Sequence, residues 1–467
     1  MKDVKKNILY NIAYQILAII LPFITAPYLS RVVGASGVGI YSFSYSMALY
    51  FTYFTLLGLN NYGNRVIASV QNDYIKRSKV FCEVYSMQLL CFVVSIIAYL
   101  SYTFLFSQDK TAAIIMIITV SSAAFDINWF FFGMEKFRLT VIRNTVIKVI
   151  TVICIFLFVH KKTDIYIYIL IMSCGCLTSQ LCLWPFMKQM VRLQIPAWKD
   201  IKKHFKPNVI LFVPVIAVSI YKIMDKIFLG YMSAIEQVGF YENAERIITI
   251  TVSMITAVGT VMLPRITSLI SNGNVKESKY YIDKTMLLVL AYANAVMFGI
   301  VAVAKDFSVI YYGKEFAATG VIMCFLAITV IFLGCGNIIR TQYLIPNEKD
   351  VVYLTSAILG AIINFIVNLF LIPKYSAIGA AIGTICAEAS VCFYQLYAVK
   401  KEFELKKYFK WEMIFIVFGI MMYCSIKYMP VPSNAIVALV FHVLCGAIVY
   451  IILSGFFIIK IEKISNK

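Results

Sequence analysis

The stretch TMLLVLAYANAVMFGIVAVA, residues 285–304, carries no charged side chain. At about 1.5 Å of rise per residue, a helix of twenty residues spans about 30 Å, the thickness of the hydrocarbon layer of a bilayer. Comparable runs recur from one end of the chain to the other. They are continuous, not alternating between polar and apolar as barrel strands do. Of 467 residues, 61% are apolar and 14% charged, against about 25% charged in an ordinary soluble domain. A water-soluble fold has no place for that much apolar surface.

Working outward from this stretch, fourteen spans are expected, near residues 8–30, 38–62, 81–106, 112–132, 140–159, 165–187, 208–231, 238–263, 285–304, 318–341, 351–372, 377–398, 411–428 and 434–458. The first run follows Lys2, Lys5 and Lys6, contains Pro22 and Pro27, lacks a small-residue cleavage site, and reads as a membrane helix, not a signal peptide. The net charge of +19 invites a nucleic-acid reading, but its placement argues against one. Alternate connections gather about 30 of the lysines and arginines on one side, against about 8 on the other, which predicts a cell-membrane protein with both termini in the cytoplasm. The basic charge then serves topology and, secondarily, anionic lipid heads. The twelve cysteines fall almost entirely within apolar runs, where they act as small apolar side chains, and no metal site or cofactor is expected.

Three similarities indicate an internal repeat. Val38-Gly39-Ile40-Tyr41 matches Val238-Gly239-Phe240-Tyr241. Gly133-Met134-Glu135-Lys136 matches Asn347-Glu348-Lys349. Leu21-Pro22-Phe23 matches Val213-Pro214-Val215. Six spans per half give both halves the same orientation, so the repeats are parallel, and transporters commonly bind substrate at such a repeat interface. The expected organisation is an N-terminal six-helix lobe over 1–190, a linker over 191–207, a C-terminal six-helix lobe over 208–400, and two further helices over 401–467. Close helix packing is expected at Gly379 and Gly383, and an interfacial aromatic belt from Trp129 to Phe132.

Charged residues inside spans are costly and mark function or pairing, at about 2.5–3.5 kcal/mol each on insertion scales. Span seven carries Lys222, Asp225 and Lys226; span eight carries Glu242, Glu245 and Arg246. Each trio has i, i+3, i+4 spacing and shares a helix face. Two readings stand side by side. The trios form a neutral network that clips the helices together, or the acids Asp225, Glu242 and Glu245 hold Lys222, Lys226 and Arg246 open to an anionic substrate. Arginine suits a diphosphate through its planar fork. Arg31, at the end of span one, is either a second such cation or a snorkelling interfacial residue. Lys148 lies mid-depth in span five with no acid nearby in sequence, an isolation that favours a cavity-facing, substrate-binding role. Asp126 and Glu388 are single acids that either bind a coupling ion, H+ or Na+, or bond between helices; Asn364 and Asn368 are expected to bond between helices.

Ser30-Arg31-Val32-Val33-Gly34 with Gly37-Val38-Gly39-Ile40-Tyr41, Trp129 to Lys136, Asp225 to Gly230 with Val238 to Tyr241, and Ile372-Pro373-Lys374-Tyr375 with Ile378 to Thr384 together resemble the polysaccharide transporter branch of the MOP (multidrug/oligosaccharidyl-lipid/polysaccharide) exporters, which includes Wzx-type flippases. The likeness covers roughly residues 1–400. It implies a MATE-like all-α fold of two six-helix lobes, and a flippase that moves an undecaprenyl-diphosphate-linked oligosaccharide from the inner to the outer leaflet by alternating access. It also implies work alongside glycosyltransferases and a polysaccharide polymerase. The rival readings are a multidrug exporter of the related branch and, from another class, a membrane glycosyltransferase or polymerase. The sequence contains no Walker-type phosphate loop and no D-x-D motif, so neither ATP hydrolysis nor catalytic residues are expected.

Overall fold

The computed structural model describes the backbone of residues 2–429 and 433–465, and side chains from residue 20 onward except at 221, 222, 462, 464 and 465. The described residues contain helices and no strand. That outcome follows from lipid, which leaves an open backbone amide without a partner and so admits only elements that satisfy their own hydrogen bonds.

The chain divides into two compact units, Met1–Ser219 and Ile220–Lys467. The first contains α1 (Lys2–Leu56), α2 (Leu59–Ala68), α3 (Tyr74–Leu105), α4 (Lys110–Ser122), α5 (Asn128–Gly133), α6 (Phe137–Phe158), α7 (Ile165–Leu181), α8 (Trp184–Met187) and the first part of α9 (Trp198–Met232). The second holds the rest of α9, then α10 (Ile235–Ser271), α11 (Val275–Tyr312), α12 (Ala317–Ala327), α13 (Thr329–Ile339), α14 (Asp350–Ala398), α15 (Leu405–Tyr428) and α16 (Ala435–Ser465). The boundary between the units falls inside α9, whereas the sequence places a linker at 191–207.

Among the described residues, eleven helices are long and apolar enough to cross a membrane, or twelve if the bent pair Lys314–Ala327 and Thr329–Leu344 is one span. The expected count of fourteen differs because two 49-residue stretches, Ile20–Ala68 and Asp350–Ala398, each carry two expected spans. Each contains a sharp break. α1 breaks at Gly34 (φ 72°, ψ −178°), not at Pro22 or Pro27. The positive φ there is open to glycine at little cost. α14 breaks at Ser376 (φ 50°, ψ −127°).

The repeat seen in sequence recurs in backbone geometry. Glu135 and Glu348 both adopt left-handed φ, 56° and 54°. Around Glu135, Lys136 N donates to Phe131 O (2.9 Å) and Glu135 N to Phe132 O (3.0 Å); around Glu348, Lys349 N donates to Leu344 O (2.9 Å) and Glu348 N to Ile345 O (3.1 Å). These are paired Schellman caps, a motif that usually places glycine at the left-handed position.

One expectation is overturned. Trp129, Phe130 and Phe131 are fully buried in the core of the first unit and form no interfacial belt. Trp129 stacks on Phe81 with centroids 5.5 Å apart and donates its indole N–H to Gln88 Oε1 at 3.0 Å. Short α5 turns the aromatic run inward against α2, where Gly63 leaves room for the indole. The start of α9 docks on the same core. His204 lies between Tyr62 Oη (2.6 Å) and the buried Glu83 carboxylate (2.9 Å), and Lys203 Nζ reaches Glu83 at 2.9 Å. Nearby, Asp73 caps α3; the Lys76 amide, at 3.0 Å, holds the Asp73 carboxyl below its usual range.

Glycine at either cap removes a left-handed L-residue. Relief of left-handed strain, roughly 1–2 kcal/mol, outweighs the added unfolded-state entropy of about 0.4–1 kcal/mol, so Glu135→Gly and Glu348→Gly are each expected to stabilise the protein by up to about 1 kcal/mol. A Cβ on Gly133 would meet Ile67 at 2.7 Å, so Gly133→Val is expected to cost about 1–3 kcal/mol or more. Thermal unfolding of the purified variants in detergent checks both signs.

Candidate functional site

α9 and α10 are antiparallel neighbours joined across Ser233 and Ala234, so Lys226 and the Glu242–Arg246 turn face one another. Lys226 Nζ lies 2.7 Å from Glu242 Oε2 and 2.8 Å from Glu245 Oε2. Arg246 reaches back one helical turn to Glu242 Oε1 at 3.1 Å. Glu242 therefore serves both cations, and Lys226 serves both acids. The four charges cancel. Their side chains retain 16% (Lys226), 19% (Glu242), 30% (Glu245) and 21% (Arg246) of their exposure, so the cluster is sheltered without being sealed. Tyr312 of α11 donates its hydroxyl to Asn243 O beside the cluster, at 2.9 Å.

Asp225, next along α9, turns about 100° away, the step between adjacent helical residues. Its carboxylate is 2% exposed and accepts four hydrogen bonds from neutral side chains. Oδ1 accepts from Asn364 (2.9 Å) and Asn368 (2.5 Å); Oδ2 accepts from Tyr241 (2.7 Å) and Thr384 (2.6 Å). The fold of α14 explains why these residues meet. The break at Ser376 lays residues 377–398 back against residues 350–375, and Ser376 Oγ is tied to Ser233 Oγ at 2.8 Å. A Cβ on Gly379 would lie 2.4 Å from Leu371 O, and one on Gly383 would lie 2.0 Å from Asn368 Oδ1. Only glycines permit that approach, and it brings Asn364, Asn368 and Thr384 together on Asp225. Asn368 Oδ1 remains buried without a hydrogen-bond partner. Glu388, one turn past Thr384, is buried at 9% exposure.

The side chain of Lys222 lies outside the described residues. In the first unit, Arg31 is exposed one turn before the Gly34 break, and Lys148 is half-buried on α6. Asp126 stands at the break between α4 and α5, where its Oδ1 accepts from Asn128 N (2.9 Å) and Nδ2 (2.7 Å). Asn128 Oδ1 in turn accepts from Arg143 (3.0 Å), whose guanidinium also donates to Ser179 O (2.7 Å) and Asn144 Oδ1 (2.7 Å).

The structure thus joins Lys226, Glu242, Glu245 and Arg246 in one cluster and places Asp225 in another. Sequence reasoning missed the donors Tyr241 and Thr384, the buried Arg143 at 9% exposure, and Glu412, which accepts from Asn294 Nδ2 at 3.0 Å. Their polar residue types inside apolar runs were the available signal.

The family profile described as "Polysaccharide biosynthesis protein" matches residues 4–270. A putative O-antigen transporter of Shigella dysenteriae is 23% identical over 404 residues, covering 85% of this chain and 100% of the relative. A putative O-antigen transporter of Escherichia coli K12 is 21% identical over 403 residues, covering 85% and 97%. Among solved structures, the lipid II flippase MurJ in an inward closed conformation superposes with a TM-score of 0.81 at 18% identity, covering 97% of this chain and 99% of that one. An inward-facing multidrug MATE transporter of the MOP superfamily gives 0.56 at 12% identity, covering 88% and 99%. These structural likenesses establish the fold.

Removing Lys226 leaves two carboxylates facing each other. Lys226→Met is expected to destabilise the second unit by about 1–3 kcal/mol, less than a fully buried pair because the cluster retains part of its exposure. Adding Glu245→Gln recovers part of that loss. A double-mutant cycle read by thermal unfolding measures the coupling.

Proposed function

Because the chain belongs to the polysaccharide biosynthesis protein family, we propose that it is a flippase. In this reading it carries a lipid-linked oligosaccharide, with undecaprenyl diphosphate as the carrier, from the inner to the outer leaflet of the cytoplasmic membrane. It transports without ATP hydrolysis, by alternating access, and catalyses no covalent step. Both termini lie in the cytoplasm, on the side where the basic loops gather. Glycosyltransferases supply the substrate, and a polymerase consumes it on the far side.

The observation that carries this reading is the sheltered but unsealed pairing of Lys226 and Arg246 with Glu242 and Glu245 on neighbouring helices. A sealed neutral clip would need no exposure. A cation merely lent to a carboxylate remains exchangeable, and the diphosphate oxygens compete for it through charge-assisted hydrogen bonds. The names of the Shigella and E. coli relatives, whose similarity runs nearly end to end, support the same substrate class. Arg31 and Lys148 are proposed as further cations on the route. For coupling to an H+ or Na+ gradient, Asp126 and Glu388 stand as proposed acids, and Asp225 joins them because it is a buried carboxylate whose four described hydrogen-bond donors are all neutral side chains. A multidrug exporter would favour carboxylates presented to a cationic drug; here each acid of the α9–α10 cluster is engaged by a cation.

Arg246→Ala is expected to abolish complementation of a deletion strain and to strand lipid-linked repeat units in the inner leaflet, while membrane insertion and thermal stability change by less than about 1 kcal/mol. Arg246→Lys keeps the charge and loses the fork, so partial activity is expected. Accumulation is read by extraction of labelled lipid-linked saccharide. Full activity in Arg246→Ala moves the substrate site elsewhere.

A further inference from the structure

A cavity of about 1020 Å³ opens where the first turns of α11 and α15 meet the last turns of α16. Among the described residues its lining contains seven lysines and two carboxylates. Two lysines are fixed beside it. Lys407 Nζ sits 2.8 Å from Asp283, which also accepts from the Tyr408 hydroxyl, and Lys279 Nζ sits 3.0 Å from Glu402. Lys276, Lys406, Lys410 and Lys460 are exposed and have no carboxylate partner among the described residues. They surround an apolar floor that includes Leu287, Phe457 and Trp411, the last only 4% exposed and covered by the Lys407 ammonium at 4.7 Å.

The four exposed ammonium groups around one hollow repel one another unless an anion joins them. The N-termini of α11 and α15 add positive potential of their own. The neighbouring surface says which anion source fits. From the rim at Lys460, α16 presents Ile459, Phe456, Ile452 and Ile448 outward, each more than half exposed. That strip is a lipid-facing surface leading directly to the lysines. A free phosphate ion needs the cations alone; a phospholipid uses both the cations and the strip.

We propose that this cavity is a binding site for the phosphate headgroup of an anionic glycerophospholipid, held as a bound membrane component and distinct from the transported substrate. The lysines take the phosphate oxygens, the lysine stems and the apolar floor cover the glycerol region, and the acyl chains lie along α16. Basic pockets between helices on the cytoplasmic side recognise lipid headgroups in this way. The site lies within the second unit and does not depend on which substrate is carried.

The test is lipid retention by the purified full chain in native mass spectrometry, with phosphatidylglycerol or phosphatidylcholine added to the detergent. The expected result is a preference for phosphatidylglycerol of about tenfold or more. Lys276→Gln/Lys406→Gln/Lys410→Gln/Lys460→Gln is expected to abolish the preference, and the matching four-arginine variant to keep it. An unchanged unfolding temperature shows that the glutamine variant is folded. Equal retention of both lipids by the wild type overturns the proposal, as does undiminished preference in a folded glutamine variant. Inorganic pyrophosphate that stabilises the wild type while neither lipid is preferred identifies a soluble-anion site and also overturns it. The comparison of the two lipids on wild-type protein decides the question even if the glutamine variant fails to fold.

Discussion

A charge placed in hydrocarbon must be answered by another charge or by hydrogen bonds, and the arrangement of the second unit follows from that constraint. Lys226 is answered by Glu242 and Glu245, Arg246 by Glu242, and Asp225 by four neutral donors. Each answer requires a helix to be in a particular place. The ion pairs fix α10 against α9. The amides and hydroxyls fix both halves of α14 against α9, and the glycines at 379 and 383 exist so that those halves can approach. The polar residues of this greasy chain thereby set its packing, as apolar residues do in a soluble core.

The same constraint makes transport of a charged headgroup intelligible. A cation bound irreversibly to its acid offers nothing to a passing diphosphate, and an unpaired cation is expensive to hold. Sharing one carboxylate between two cations, as Glu242 does, lowers the hold on each. Under the proposed function, incomplete burial then lets the diphosphate substitute. Structural clip and substrate site are therefore not exclusive descriptions of one cluster: under the proposed function, the clip is the resting state of the site.

Much of this was legible in the sequence because lipid imposes a coarse and repetitive code. Uncharged runs such as 285–304 announced the helices, and the Val-Gly-x-Tyr and Glu-Lys repeats announced two related halves. The Glu135 and Glu348 turns prove alike down to their left-handed φ. The charged trios on α9 and α10 announced that these helices had business with one another. Other features were not legible. Asp225 and Lys226 share a stretch of sequence, but adjacent positions on a helix look in different directions, and Asp225 finds partners some 140 residues away. The run Trp129 to Phe131 has the composition of an interfacial belt; only the shortness of α5 and the space beside Gly63 turn it into a core. Arg143 reads as one more basic residue near a loop until Asn128, Asn144 and Ser179 close around it. In each case the deciding contact is long-range and polar, and apolar periodicity carries no record of it.

The central claim, that basic side chains in the membrane recognise a phosphorylated lipid headgroup and carry it across, meets its most direct test in proteoliposomes. Purified protein is reconstituted with a fluorescent undecaprenyl-linked oligosaccharide, without nucleotide and with an imposed cation gradient, and the fraction of label open to an external quencher is followed over time. Protein-dependent crossing of the diphosphate-linked saccharide, clearly faster than that of the same saccharide on a neutral lipid, is the predicted result. No crossing of either, or equal crossing of both, would contradict it.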